Sequence, residues 1–244
     1  MPFGMVACVN ESSLKNSCAG GSEKQMNDSN REQLIAAAEL LQPLLGDLVF
    51  VGGCVTGLLI TDEAAAGPRA TFDVDAIAAI TSYAEYTEFG DRLRALGFEE
   101  DARRTILDVM PLDEKILGFS NRWYQAALES SVTQRLSTDF DIRMVTAPFF
   151  IATKLEAFRG RGKGDFFGSH DLEDLISVVD GRETVVEEIR AESDEFRAYI
   201  RAEVKRLLTA EGFLDALPGY LLPDAVSQSR IGIVIQRMRE LASV

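Results

Sequence analysis

The chain has 244 residues, a formal net charge of −14 and 46% hydrophobic residues, which is enough apolar material for a sizeable core. The negative charge argues against broad, nonspecific binding of nucleic acid, because such binding depends on neutralising phosphates. A single histidine excludes catalytic or zinc sites that are built on several histidines.

Hydropathy and cysteine content predict a cytoplasmic protein without a membrane segment. No apolar run approaches the roughly 18 residues that a membrane-spanning helix needs. The start, Met1–Gly4, lacks the basic and apolar regions of a secretory signal. Cys8, Cys18 and Cys54 do not make a disulfide framework, which suits a reducing compartment.

The apolar pattern divides the chain into three parts and predicts an α/β fold. Residues 1–29 are rich in Ser, Asn and Gly without an apolar period, which predicts a disordered leader. Residues 30–145 predict a core in which helices pack on a small mixed sheet. Residues 146–244 predict a helical C-terminal region.

Within the core, periodicity and turn residues predict each element in chain order. The predicted elements are a helix over Asn30–Leu45, a strand over Asp47–Val51, a short helix over Cys54–Ile60, a loop over Thr61–Ala70, and strands over Thr71–Ile80, Arg104–Met110 and Phe140–Val145. A capping box at Ser82 and Glu85 predicts the start of a helix that ends at Gly97.

The C-terminal region begins with a helix from Thr146 to about Phe158, because Pro148 suits a first helical turn. Two features follow it: a basic, glycine-rich loop over Gly160–Gly168 and a helix over His170–Val179 with Ser169 as its N-cap. Beyond this helix the pattern is helical. It predicts a long charged helix over Glu183–Glu211 and another over Pro223–Ser243.

The pair Asp73 and Asp75 is the clearest sign of chemistry. Residues two apart on a strand share a face, so this spacing places two carboxylates side by side and leaves Phe72, Val74 and Ala76 on the core face. Two adjacent acids repel unless a cation lies between them, and Mg²⁺ prefers such oxygen ligands. The alternative interpretation is a solvated sheet face.

Two further features extend this pair. The Gly52-Gly53 turn allows the backbone to approach a bulky anion, although a tight turn is its commonest use. Asp108 is an acid between two apolar residues, and if its strand lies beside that of Asp73 and Asp75, three carboxylates converge as in two-metal phosphoryl transfer. A solvent-facing edge position is the alternative for Asp108.

These motifs resemble the polymerase-β-like nucleotidyltransferases, and more narrowly the AbiEii-type toxins of type IV toxin–antitoxin systems. The motifs are Val51–Gly53, Arg69–Asp75, Leu107–Met110, Thr153–Phe158 and Ser169–Leu175. The resemblance covers about residues 30–180 and implies a nucleotidyltransferase fold. It also implies Mg²⁺ as cofactor, an NTP as substrate, an acceptor such as tRNA or another RNA, and a cognate antitoxin as partner.

The resemblance also implies roles for individual residues. Gly52 and Gly53 would approach the nucleotide phosphates, with Thr56 adding a hydroxyl and Thr71 belonging to the nucleotide-binding segment. Arg69 precedes Thr71 by two residues and could reach a phosphate.

The resemblance assigns Mg²⁺ to Asp73, Asp75 and Asp108. Lys154 would offset charge on the pyrophosphate leaving group, and Asp171 and Asp174 would position base, ribose or lysine. An ordinary solvated lysine is the alternative for Lys154, and a favourable helix-dipole position is the alternative for Asp171.

Two other functions stay open. A small-molecule nucleotidyltransferase that modifies cationic drugs such as aminoglycosides suits the acidic net charge equally well. A nucleotide-binding interaction protein without turnover is the third interpretation. The basic loop, which includes Arg161 and Lys163, is a candidate RNA contact or a solvated loop.

Overall fold

The computed structural model describes residues 5–7, 29–99, 107–162 and 164–244. It divides into two compact units. The first lies within Met1–Gly57 and Ala70–Val145, and the second comprises Leu58–Arg69 and Thr146–Val244. Most of the predicted leader, the start of the Arg104–Met110 strand and Lys163 lie outside the described residues.

Among the described residues, the first unit contains a mixed sheet of six strands in the order β1-β4-β3-β2-β6-β5. The strands are β1 (Met5–Ala7), β2 (Leu48–Val51), β3 (Val74–Ala78), β4 (Leu107–Met110), β5 (Val132–Arg135) and β6 (Asp141–Met144). The pairs β3–β4 and β2–β6 are parallel, and the other three are antiparallel. An α/β fold with a small mixed sheet is thereby confirmed.

The edge strand β1 lies inside the segment that was predicted to be a disordered leader. Its backbone pairs antiparallel with β4, with Val6 opposite Asp108. An uncovered edge of β4 would present a row of unpaired backbone groups, and any extended segment can satisfy them. Composition does not reveal such pairing.

In the part of the first unit that the structure describes, five α-helices accompany the sheet. They are α1 (Ser29–Leu40), α2 (Thr56–Leu59), α3 (Tyr83–Ala95), α4 (Glu114–Leu117) and α5 (Tyr124–Glu129). The predicted first helix was too long: α1 ends at Leu40, and Gln42–Asp47 forms a 3₁₀ helix. Pro43 explains the change, because proline has no N–H donor and restricts the residue before it.

The strand β3 is shorter than predicted, and this changes the position of Phe72. The strand begins at Val74, so the alternation of faces does not extend back to residue 72. Val74 and Ala76 are buried as expected, whereas Phe72 is 79% exposed and the prediction of a core position was wrong.

The capping residues Ser82 and Glu85 correctly predicted the start of α3. Ser82 caps the helix by accepting a hydrogen bond from the Glu85 N–H, and the Glu85 carboxylate accepts one from the Thr81 N–H. Gly97 follows the helix end with φ +87. By contrast, α4, α5 and β5 were missed, because they are short and lack a strong apolar period.

The second unit is helical, as predicted for the C-terminal region. Its helices are α6 (Ala147–Arg161), α7 (His170–Gly181), α8 (Val185–Arg190), α9 (Asp194–Thr209), α10 (Phe213–Ala216), α11 (Ala225–Ser229) and α12 (Ile231–Leu241). The predicted helix over Glu183–Glu211 divides into α8 and α9, because Ser193 caps a new helix through the Phe196 N–H. Likewise α6 extends to Arg161, so Gly160 and Arg161 are helical and do not belong to the loop.

The segment Leu58–Arg69 belongs to the second unit, although its residues were predicted as the end of a short helix and a loop of the core. The Gly181 carbonyl accepts hydrogen bonds from the N–H groups of Thr61 (2.8 Å) and Asp62 (2.9 Å). Arg230 adds a charged link, since it binds both Asp62 (2.6 Å) and Asp180 (2.9 Å). These long-range bonds are not visible in the local sequence.

No helix within the described ranges is long and apolar enough to cross a membrane.

Candidate active site

Asp75 and Asp108 are direct neighbours on adjacent strands of the first unit. The strands β3 and β4 run parallel with Asp75 in register with Asp108. Adjacent strands lie about 4.8 Å apart and residues in register point to the same face, so the two carboxylates lie side by side. The condition set for Asp108, that its strand lies beside the strand of Asp75, is therefore met.

The Gly52-Gly53 turn lies against this carboxylate pair. Val51 is opposite Asp75 in the antiparallel ladder, and Gly52 follows with φ +71 and ψ −164. A Cβ built on Gly52 would lie 2.0 Å from Asp75 Oδ2. Glycine is required here for two reasons: the backbone conformation is almost confined to glycine, and the carboxylate occupies the space of a side chain.

Replacing Gly52 with alanine should move Asp75 and destabilise the protein by about 3 kcal/mol, from the strained backbone and the steric clash together. Urea unfolding of Gly52→Ala measures the change. Gly46→Ala is the matched control, because a Cβ at Gly46 meets nothing within 4 Å. Equal unfolding midpoints for the two variants would contradict the close approach of Gly52 to Asp75.

Asn30 is a site residue that sequence reasoning missed. Its side chain is only 1% exposed. Asn30 Nδ2 donates to the Gly53 carbonyl (3.5 Å), and Asn30 Oδ1 accepts from the Thr71 N–H (3.0 Å). Asn30 therefore links the glycine turn to the segment that leads into Asp73. The available signal was an asparagine four residues before Leu34, in line with the apolar stripe of the predicted helix.

The other predicted residues of the first unit have different environments. Thr71 is buried, and its hydroxyl accepts a hydrogen bond from the Asp73 N–H (3.4 Å). Asp73 itself is exposed and lies just before β3. Thr56 is fully buried, and its hydroxyl has no hydrogen-bond partner within the described residues. Because Thr56 is buried, its hydroxyl is not accessible to a ligand that binds from solvent.

The carboxylate pair is suited to Mg²⁺, but no three-acid group is formed among the residues that the structure describes. Among the described residues, no three His, Cys, Asp or Glu side chains are arranged to hold a metal ion. Mg²⁺ is usually bound by one or two carboxylates together with substrate phosphates and water. Asp75 and Asp108 match that pattern as two neighbouring oxygen donors.

Lys154, Asp171 and Asp174 form one buried ion-pair network in the second unit. Lys154 is 7% exposed and Asp174 is 1% exposed. Lys154 Nζ lies 2.6 Å from Asp174 Oδ2 and 3.5 Å from Asp171 Oδ1. Asp171 and Asp174 were expected to position the base, the ribose or the lysine. In the structure both acids contact Lys154.

Two arginines complete this network. Arg69 Nε donates to Asp174 Oδ1 (3.0 Å), and Arg161 donates to both oxygens of Asp171 through Nε (2.9 Å) and Nη2 (2.8 Å). Arg69 Nε also lies 3.9 Å from Glu173 Oε2, so three cations face three acids and the network is not a net positive phosphate site. The predicted contacts of these cations with phosphate stay predictions.

The pKa of Asp171 reflects two opposing influences, its burial and the neighbouring cations. Burial raises the pKa, but the hydrogen bonds from Arg161 and the charge of Lys154 outweigh burial, so the pKa lies below its usual value of 3.8. A carboxyl group whose pKa is lowered by folding stabilises the fold above its unfolded pKa. That stability is lost as the pH falls through the folded pKa.

Removing the arginine should therefore raise the pKa of Asp171. In Arg161→Gln we expect a higher pKa and a smaller loss of stability on acidification than in the wild type. The effect should be modest, because the Arg161 side chain is 73% exposed and solvent screens it. NMR titration of labelled aspartate carboxyl carbons measures the shift. Arg159→Gln is the control, since Arg159 pairs with Glu156.

Comparison with known proteins gives no family assignment. No known family model matches the chain. No curated protein sequence matches it significantly. The functional argument therefore depends on the geometry of these residues and on the sequence motifs.

Proposed function

We propose that this chain is a Mg²⁺-dependent nucleotidyltransferase that moves a nucleoside monophosphate from an NTP to a hydroxyl group. The observation that carries the proposal is the register pair Asp75 and Asp108 against the backbone of Gly52. Two neighbouring carboxylates supply oxygen donors of the kind that Mg²⁺ prefers, and the glycine turn beside them lets the backbone approach phosphates closely, which supports a role with a cation and phosphates.

The residues of the first unit have distinct tasks in this proposal. Gly52 and Gly53 let the backbone lie close to the triphosphate, and Asn30 holds the turn in place. Asp108 orients or deprotonates the attacking hydroxyl. The hydroxyl oxygen bonds to the α-phosphorus while the bond to the pyrophosphate oxygen breaks, and the hydroxyl proton passes to a carboxylate or to water.

The proposed metal ligands are Asp75 and Asp108, with Asp73 at the entrance to β3 as a further donor. When bound, Mg²⁺ would offset the negative charge of the triphosphate. Because the motifs resemble AbiEii-type toxins, we further propose that the acceptor is an RNA such as tRNA. A cognate antitoxin and a cytoplasmic location belong to the same proposal.

One observation favours a second candidate, a small-molecule nucleotidyltransferase for cationic drugs. The cations that were predicted to attract RNA, Arg69, Lys154 and Arg161, are paired with acids in the second unit. The whole chain carries a net charge of −14. A cationic acceptor would be attracted to such a surface.

Incubation with each α-labelled NTP and Mg²⁺ tests the proposal, with total RNA in one reaction and an aminoglycoside panel in another. We expect label in RNA, and label in a drug would favour the second candidate. Binding of NTP without transfer to either would leave the non-catalytic interpretation. Asp73→Ala should abolish transfer with little loss of stability, and full activity in this variant would show that the site is assigned wrongly.

A further inference from the structure

Phe72 is the most exposed large hydrophobic side chain among the residues that the structure describes, with 79% of its surface accessible. Single exposed apolar side chains are common on protein surfaces and usually need no explanation. The place of Phe72 is what distinguishes it, because it directly precedes Asp73 and lies three residues before Asp75. An aromatic ring is thus presented to solvent at the entrance to the strand that carries the proposed metal ligands.

The covalent chain keeps this ring close to the carboxylate pair. An extended chain advances at most about 3.6 Å per residue, so the Cα atom of Phe72 lies within about 11 Å of the Cα atom of Asp75. Both residues belong to the first unit. A molecule that is bound at Asp75 and Asp108 is therefore within reach of the Phe72 ring.

Hydrogen bonds on both sides of Phe72 hold its backbone in place. The N–H of the buried Thr71 donates to Asn30 Oδ1 (3.0 Å), and the N–H of Asp73 donates to the Thr71 hydroxyl (3.4 Å). Asn30 also donates to the Gly53 carbonyl (3.5 Å), so one side chain fixes both the glycine turn and the segment of Phe72. A ring on a backbone that is already fixed loses less conformational freedom when a ligand binds.

We propose that the ring of Phe72 stacks on a nucleobase of a substrate that is bound at the carboxylate pair. The choice of a nucleobase rests on the proposed function, in which an NTP and an RNA meet at Asp75 and Asp108. An aromatic ring suits any base, because every base has a π-face and stacking needs no basic surface. This type of contact suits a chain with a net charge of −14. The base belongs to the NTP or to the acceptor RNA, and separate titrations distinguish the two.

Phe72→Trp gives a direct fluorescence signal for stacking. The chain has a single tryptophan, Trp123, which is buried and whose background a wild-type titration subtracts. We expect an NTP with Mg²⁺ or a single-stranded oligoribonucleotide to quench the added tryptophan, and the probe that does so identifies the source of the base. Tripolyphosphate with Mg²⁺ should not quench it, because it carries no base. Equal quenching by tripolyphosphate, or none by either nucleotide probe, would overturn the proposal.

Phe72→Ala measures what the ring contributes to the reaction. We expect the KM of the substrate with the stacked base to rise about tenfold, with kcat and the other KM unchanged, because stacking contributes to binding of the ground state and the transition state alike. Urea unfolding should be nearly unaffected, since the side chain is exposed. Unchanged KM values for both substrates would contradict the proposed stacking.

Two conservative variants separate stacking from simple apolar contact. Phe72→Trp should keep the KM of the wild type, because it retains an aromatic face. Phe72→Leu should resemble Phe72→Ala, because leucine is apolar but has no π-face. A KM in Phe72→Leu equal to that of the wild type would show that the contact is not stacking.

Tyr83 supplies a matched control in the same unit. It is 71% exposed and begins α3, beyond the end of β3 that is opposite to Phe72. Tyr83→Ala should leave kcat and both KM values unchanged. An equal rise of KM in Tyr83→Ala and Phe72→Ala would refute a role that is specific to Phe72.

The outcomes also separate this inference from the proposed function. Quenching of Phe72→Trp by a nucleotide probe without any label transfer would retain the base contact and refute the nucleotidyltransferase. Label transfer with unchanged KM values in Phe72→Ala would do the reverse. If an aminoglycoside quenches Phe72→Trp and neither nucleotide probe does, the ring contacts a cation and the base contact is refuted.

Discussion

Replacing either member of the carboxylate pair with asparagine should abolish nucleotidyl transfer without destabilising the fold. For Asp75→Asn and for Asp108→Asn we expect activity to fall about 1,000-fold, because several kcal/mol of transition-state stabilisation would be lost. The free energy of unfolding should change by no more than about 1 kcal/mol, since asparagine keeps the size of the side chain and the cross-strand pair in register is retained. Label transfer and urea unfolding measure the two effects.

A matched control is available on the same sheet. Asp141 lies on β6, is exposed, and pairs with Arg135 at 2.6 Å. Asp141→Asn should keep full activity and lose at most a small amount of stability, as is usual for an exposed ion pair. If Asp75→Asn were active but less stable, the pair would be a structural feature of the sheet and the proposed site would fail.

Replacing Lys154 with methionine should be strongly destabilising. The change leaves Asp171 and Asp174 buried without the ammonium group that lies between them. Removing one partner of a buried ion pair typically costs several kcal/mol, and we expect about 3 kcal/mol here because Arg69 and Arg161 still bind the acids. Urea unfolding at about pH 7 measures the loss.

The pH dependence of this loss shows whether charge is the cause. The charge of Lys154 helps to hold the pKa of Asp171 below 3.8, so its removal should raise that pKa. The stability that this low pKa provides is present above the unfolded pKa and is lost as the pH falls through the folded pKa. The deficit of Lys154→Met should therefore be smaller at about pH 4 than at about pH 7.

A compensating variant completes the test. Lys154→Met/Asp174→Asn removes one buried charge of each sign and should recover part of the lost stability, because the remaining acid keeps Arg161 as its partner. A deficit that does not change with pH and is not reduced in the double variant would indicate loss of packing around Lys154 instead.

Local signals in the sequence predicted the elements that have clear ends or clear periods. The Ser82 capping box and the Ser169 N-cap lie where they were predicted, because a cap depends on residues within one helical turn. Asp73 and Asp75 were predicted to lie on one strand, and the strand that forms, β3, includes Asp75 but begins after Asp73. The spacing did not predict the first residue of this strand, which is Val74. Phe72 lies before the strand and is exposed.

The arrangement of charges could not be predicted in the same way. Lys154, Asp171 and Asp174 were identified as site residues, but their sequence does not reveal that they bind one another. The same is true of the bridging role of Asn30. Each depends on residues that are distant in sequence and meet only after packing.

The sequence by itself determined the α/β class, the caps and turns, and the residue types that can bind a metal ion and phosphates. Backbone preferences and apolar periods act over a few residues, so they can be read from one segment at a time. The tertiary structure alone decided that Asp75 and Asp108 lie in register beside Gly52 and that Lys154 is balanced by acids. Strand register and ion pairing are set by long-range packing, which no local pattern encodes.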